Sequence, residues 1–152
     1  MDKLTLKSSA FNDKDFIPKR FTCDGEDINP LFEIKNVPEG TKSLILIVDD
    51  PDATHGETWD HWVLYNIKPD TQYIDENNLP NDAITGKNSW GREEYGGPCP
   101  PHGSKPHRYM FKLYALNINL NNAPGLIKHE IEKIIKDHIL EQTILTGLYS
   151  RK

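Results

Sequence analysis

Three side chains in this sequence have the types and settings to handle charge: Asp50, His61 and His107. Asp50 lies in the acidic burst Asp49-Asp50-Pro51-Asp52, directly after the apolar run Leu44-Ile45-Leu46-Ile47-Val48. His61 and His107 each sit near the start of a stretch with strand-like patterning. An ionised carboxylate only accepts hydrogen bonds, whereas an imidazole donates, accepts or carries a proton near neutral pH. Around one cleft, the two imidazoles and the Tyr109 hydroxyl would suit an oxyanion such as phosphate. Backbone amides of Gly97 and Cys99, freed by irregular structure, would complete the floor. Asp50 would not face a phosphate dianion unaided. It could orient a ring, share a proton, or pair with an ammonium on the ligand.

Each residue alone has a plainer reading. An isolated histidine can be a hydrogen-bonded core residue, and Asp-rich segments are good turns. Two other chemistries use the same residues. Asp50 with either histidine could do general acid–base work on a phosphorylated or acyl small molecule, as a hydrolase. No Gly-x-Ser-x-Gly and no phosphate-transfer loop supports that, and Cys99 is the only attractive nucleophile. His61, His107, Asp50 and Cys99 could also ligate zinc, but they lack the local spacing of a strong zinc motif.

Positioning these groups needs elements that end together. The segment from Trp90 to Pro106 is dense in glycine and proline, and reads as an ordered, shaped loop around Trp90 and Tyr95. It feeds a strand, His107–Leu116, in which His107, Tyr109, Phe111, Leu113 and Ala115 share a face. Trp59 to Ile67 reads as another strand, with His61, Val63, Tyr65 and Ile67 on one face. The run from Ser43 to Val48 reads as a strand buried on both faces. Short strands are expected at Leu4–Ser8, Lys19–Cys23, Leu31–Ile34 and Ile144–Tyr149. Residues 69–87 read as loop. One amphipathic helix is expected after Asn122, with Pro124 in its first turn and a stripe of Ile127, Ile131, Ile134, Ile135 and Ile139. Many short strands, frequent turns and one late helix imply a mainly β protein.

The chain has 152 residues, 36% hydrophobic and 27% charged, which fits one domain over residues 1–152. No apolar run approaches the roughly 20 residues needed to span a bilayer, and no signal-peptide pattern opens the chain, so the expectation is a cytoplasmic protein without membrane insertion. A net charge of −5 argues against a general nucleic-acid surface. Cys23 and Cys99 are the only cysteines. Two separate reduced thiols are the better reading for a reducing cytosol. A disulfide would close a loop of about 76 residues and stabilise by roughly 4 kcal/mol in the chain-entropy model, and becomes plausible in a hyperthermophile.

Several spaced motifs carry a family resemblance over nearly the whole chain. They are Asp50-Pro51-Asp52-Ala53, His61-Trp62-Val63-Leu64, Tyr95-Gly96-Gly97-Pro98-Cys99-Pro100-Pro101-His102-Gly103 and His107-Arg108-Tyr109, flanked by Phe21-Thr22-Cys23-Asp24-Gly25-Glu26 and Gly147-Leu148-Tyr149-Ser150-Arg151. Together they resemble the phosphatidylethanolamine-binding protein family, in its bacterial and archaeal branch called Raf kinase inhibitor-like, or YbhB/YbcL. The resemblance implies a large central antiparallel sheet packed on a smaller sheet, a β-sandwich with peripheral C-terminal helix. It also implies a pocket that accepts phosphate, acetate or a phospholipid head group. Carried onto this sequence, the ligand-binding positions are Asp50, His61, Gly97, Cys99, His107 and Tyr109, with Trp59 at the rim. The expected partner is a small anionic ligand, with no cofactor. Eukaryotic relatives inhibit kinases or act as scaffolds, so a kinase or protease partner is a further expectation, and a homodimer is compatible with the sequence. Thr54 stands where many relatives carry proline, which bears on the pocket rim.

Overall fold

A computed structural model describes residues 2–152. In chain order the elements are β1 (Thr5–Ser8), β2 (Phe32–Lys35), β3 (Ser43–Asp50), β4 (Trp59–Ile67), β5 (Tyr73–Ile74), β6 (Ile84–Thr85), β7 (His107–Leu116), α1 (Lys128–Ile135) and β8 (Ile139–Tyr149). Five strands form a large antiparallel sheet in the order β6-β4-β3-β7-β8. Three form a smaller antiparallel sheet in the order β1-β2-β5.

β3 is the centre of the large sheet, and all eight of its residues are buried. Its alternate side chains serve two cores. Leu44, Leu46 and Val48 pack with Leu6, Phe32, Ile34 and Phe111, between the two sheets. Ile45 and Ile47 pack with Leu120, Ile131 and Ile135, under α1. A strand covered on both faces needs no polar alternation, which is why its sequence is a continuous β-branched and leucine run. Each such side chain contributes roughly 1.5–3 kcal/mol by leaving water.

β4 departs from strict alternation twice. Val48 pairs with Trp62 while Asp49 pairs with Asp60, so His61 is an extra residue in β4. Leu44 pairs with Ile67 while Leu46 pairs with Leu64, a second extra residue, beside Asn66 at φ 55°. Each β-bulge flips the side-chain phase of the residues beyond it. Ile67 therefore joins the core between the sheets with Trp62 and Leu64, while Val63 and Tyr65 face α1. The expected single face of His61, Val63, Tyr65 and Ile67 is corrected accordingly.

Other boundaries also moved. Lys19–Phe21 is a 3-10 turn rather than a strand. β5 and β6, two residues each, lie in the region expected to be loop, held by pairing with β2 and β4. The helix is shorter than the isoleucine stripe. It starts at Lys128, where the Ile127 amide donates to Glu130 Oε1 (3.0 Å). Only Ile131 and Ile135 are buried, because Ile139 already pairs with Leu116 as the first residue of β8.

Cys23 and Cys99 are joined in a disulfide, with Cα atoms 5.4 Å apart. This corrects the expectation of two reduced thiols. The Cys23 amide donates to Pro98 O (3.1 Å) and the Gly97 amide to Asp27 Oδ1 (2.8 Å), so the two loops are held together next to the bond.

Candidate oxyanion site

Antiparallel pairing brings the end of β3 and the starts of β4 and β7 to one end of the large sheet. Asp50, His61 and His107 occupy those three positions. Asp50 and His107, 57 residues apart in sequence, are in direct contact. The His107 Nδ1–H donates to Asp50 Oδ2 at 2.7 Å. The other carboxylate oxygen, Oδ1, accepts from the Asp52 amide at 2.8 Å. Both oxygens of this buried carboxylate are thus engaged within the chain, and Asp50 acts as the orienter of the His107 ring. Asp50 also lines the cavity described below, and each of its oxygens keeps a second acceptor lone pair.

The bulge sets His61. Without it, Asp60 and Trp62 would share a face with the His61 side chain opposed to them. Instead His61 reaches the Tyr109 ring edge-on, 5.2 Å between centroids, while Asp60 turns towards α1. Its Nδ1 bonds the Gly96 carbonyl at 2.8 Å. A carbonyl only accepts, so Nδ1 carries the hydrogen and Nε2 of the neutral ring is a bare acceptor. At His107 the Nδ1 hydrogen is likewise used, on Asp50. Burial pushes the His61 imidazole below its ordinary range, which keeps it neutral near pH 7.

Tyr109 lies between the two imidazoles, nearly parallel to His107 at 6.4 Å. Its hydroxyl is buried and has no hydrogen-bond partner among the described residues. Burial, followed by the Asp50 charge, pushes it upward, so it stays a neutral O–H. The Cys99 backbone opposes this, without reaching hydrogen-bond geometry. An unpartnered buried hydroxyl costs about 1–3 kcal/mol.

Asp50, His61, His107 and Tyr109 line a cavity of about 250 Å³, walled by Trp59, Trp90, Cys99, Pro100 and Pro101, with Ala53 and Thr54 at its edge. Trp90 packs edge-on against both His61 (5.0 Å) and Trp59 (5.5 Å). Gly96 makes this possible, since a Cβ there would meet the Trp90 ring at 2.3 Å. Gly97 is not in the wall. Its amide is used on Asp27, and a Cβ would meet Phe21 O and Asp27 Oδ1 at 2.4 Å. Close loop packing, rather than approach of a ligand, requires glycine at 97. Cys99 is in the wall but as half of a disulfide, so it offers no thiol nucleophile and no thiolate ligand. Among the described residues no group of three or more His, Cys, Asp or Glu side chains could hold a metal ion. Reading the sequence did not assign Trp90, Pro100 or Pro101 to the cavity. The stiffness of their loop was the available signal.

Two ion-pair systems brace the strand ends. Asp52 is gripped by Arg108 through Nε and Nη2 (2.9 Å each) and through the Arg108 amide (2.9 Å), which holds its carboxyl below the usual range. Asp49 points to the opposite face from Asp50. Its Oδ2 accepts from Lys112 Nζ (2.9 Å) and from Lys128 Nζ (2.8 Å), tying α1 to the sheet. Adjacent carboxylates at one strand end therefore do separate jobs on separate faces.

Comparison with known proteins agrees with this architecture. The family model described as Phosphatidylethanolamine-binding protein matches residues 7–150. A UPF0098 protein of Pyrococcus horikoshii is 44% identical over 158 residues, covering 99% of this chain and 79% of the relative. A crystal structure of a phosphatidylethanolamine-binding protein homologue from Chlamydia trachomatis superposes with a TM-score of 0.94 at 34% identity, covering 100% of both chains. E. coli YbcL, described as a member of the mammalian family, gives a TM-score of 0.92 at 28% identity over 99% of this chain and 100% of its own. Sheet order, strand-end cavity and sequence similarity lead to one conclusion: the chain belongs to the phosphatidylethanolamine-binding protein family.

Proposed function

We propose that this protein is a non-enzymatic binding module for a small oxyanion, with inorganic phosphate or the phosphate of a phosphorylated small molecule as the recognised group. One observation carries the reading: the unpartnered buried Tyr109 hydroxyl faces a cavity shared with two imidazoles whose Nδ1 positions are already committed. Tyr109 supplies a fixed donor. Each Nε2 accepts from a protonated phosphate oxygen, or takes a proton and donates to an ionised one. Asp50 holds the His107 ring, and Trp59 and Trp90 exclude water at the rim. Excluding water strengthens these charge-assisted bonds. With the only cysteine in the wall tied up as a disulfide, the cavity offers no thiol nucleophile, which supports recognition over covalent chemistry.

The test is an NMR titration of ¹⁵N-labelled protein with phosphate and with phosphoethanolamine, repeated on His61→Ala. The expected result is saturable shifts centred on His61, His107 and Tyr109, lost in the variant. Flat spectra to tens of millimolar, on the order of the weakest useful affinity, would overturn the reading. Tighter binding of phosphoethanolamine than of phosphate would point to a lipid head group, equal binding to the phosphate alone.

A further inference from the structure

The cavity wall formed by Cys99, Pro100 and Pro101 has little backbone bonding to hold it. Pro100 and Pro101 have no N–H to donate. On one side the segment is tied by the Cys23 amide on Pro98 O. On the other, the Gly103 amide donates to Arg151 O (2.8 Å), and Arg151 Nη1 reaches Pro100 O at 3.5 Å. Between these points the Cys23–Cys99 bond is the covalent anchor.

That anchor is reachable. Cys99 is exposed, and Cys23 is partly so. Both line a second cleft of about 210 Å³ with Asp27, Gly96 and Gly97, and Cys99 and Trp90 also line the oxyanion cavity. Cys99 thus borders both the second cleft and the oxyanion cavity. Arg151 sits against it, with Nη1 3.5 Å from Cys99 Sγ while Nη2 is held by Asp24 Oδ1 at 3.1 Å. A guanidinium beside one sulfur stabilises that sulfur as a thiolate, and the better-stabilised thiolate is the better leaving group.

We infer that the Cys23–Cys99 disulfide is a redox modification site, opened by a dithiol reductant, whose reduction releases the Cys99–Pro101 wall and weakens oxyanion binding. One thiolate of the dithiol attacks Cys23 Sγ from the second cleft. The Cys23–Cys99 bond breaks and Cys99 leaves as a thiolate beside Arg151, forming a mixed disulfide on Cys23. The second thiol of the reductant attacks its own sulfur in that mixed disulfide and expels Cys23. Two electrons pass to the protein, the reductant ends as a disulfide, and its two thiol protons balance the two cysteine thiols. The functional consequence rests on the oxyanion reading above; the loosening of the wall does not.

The experiment compares the full oxidised protein with the same protein reduced by dithiothreitol and desalted without oxygen, thiols being counted by mass after alkylation. Amide hydrogen exchange and a phosphate titration are measured on both forms. Under native conditions two thiols are expected to appear. Exchange across residues 96–104 rises roughly tenfold or more, and the phosphate Kd weakens by a similar factor, as ordering of a freed loop would require. The double variant Cys23→Ser/Cys99→Ser behaves like the reduced form in both conditions. Arg151→Ala slows reduction, and Arg151→Lys restores most of the rate. A disulfide that resists dithiothreitol until the protein unfolds overturns the proposal, as does unchanged exchange after reduction. If neither form takes phosphate the oxyanion reading fails, and the exchange rates alone decide whether the wall is redox-controlled.

Discussion

Binding of a fully ionised oxyanion at His61 should consume a proton. In the free protein the His61 Nδ1 hydrogen is spent on Gly96 O, and burial holds the ring neutral, below the ordinary value of 6.5. Its Nε2 therefore presents a lone pair, which repels an unprotonated oxyanion. Sulfate makes the cleanest probe, since it carries no proton of its own at neutral pH. Each bound sulfate must bring at least one proton onto a ring. Affinity then falls about tenfold per pH unit, or about 1.36 kcal/mol, once the free ring is neutral. By linkage, the bound state holds more protons, so binding weakens as pH rises. Isothermal titration between about pH 6 and 8 in buffers of differing ionisation enthalpy measures both the slope and the proton count. His61→Gln supplies a permanent donor near the Nε2 position and should flatten His61's share of the slope. Sulfate affinity unchanged with pH in the wild type, with no buffer-dependent heat, would refute the tautomer assignment and the role built on it.

Further expectations concern stability and the rim. Tyr109→Phe removes a buried hydroxyl that has no partner in the chain, so urea unfolding should show stability unchanged or raised by up to about 1 kcal/mol while phosphate affinity falls roughly tenfold; a clear loss of stability would reveal an unrecognised partner. Lys128→Met strips one of two ammonium groups from buried Asp49 and should cost about 2–3 kcal/mol, less than the 3–5 of a fully orphaned charge because Lys112 remains; a change under about 0.5 kcal/mol in denaturant titration would show the clamp to be dispensable. Because the folded-state pKa of His61 is depressed, its contribution is intact above the unfolded value near 6.5, and stability declines as pH falls below it; His61→Gln should lessen the decline in thermal melts. Gly96→Ala drives a Cβ into Trp90, so tryptophan fluorescence should shift as the exposed ring swings off His61, at a cost of about 1 kcal/mol; an unshifted spectrum with normal binding would remove Trp90 from the rim.

Much of this molecule was readable in the order of its residues, for local reasons. The run Leu44–Val48 has one good solution, a strand covered on both faces, and it became the central strand. Alternation in His107–Leu116 placed His107 and Tyr109 on one face with Phe111, and the pattern survived because β7 is paired with β8 along its length and with β3 from Met110 to Leu116. Non-local partners governed what was misread. β5 and β6 are too short to show a period, and exist because β2 and β4 offer them an edge. The isoleucine stripe overran α1 because Ile139 finds a better partner in Leu116 than in another helical turn. Trp90 entered the cavity through packing on Trp59 and His61, a contact no spacing announces.

By itself the sequence determined the β-rich class, the three polar positions at strand ends, and the stiff loop beside them, because periodicity, β-branching and proline act within a few residues. Tertiary structure decided the rest. The inter-strand register made His61 the extra residue of a bulge and so chose the face of its ring. Contact between distant loops fixed Cys23 to Cys99 and spent the Gly97 amide on Asp27. Hydrogen-bond competition at the strand ends gave both Asp50 oxygens to the chain and left the Tyr109 hydroxyl without a partner. Those outcomes depend on which groups meet across tens of residues, and a one-dimensional pattern carries no term for that.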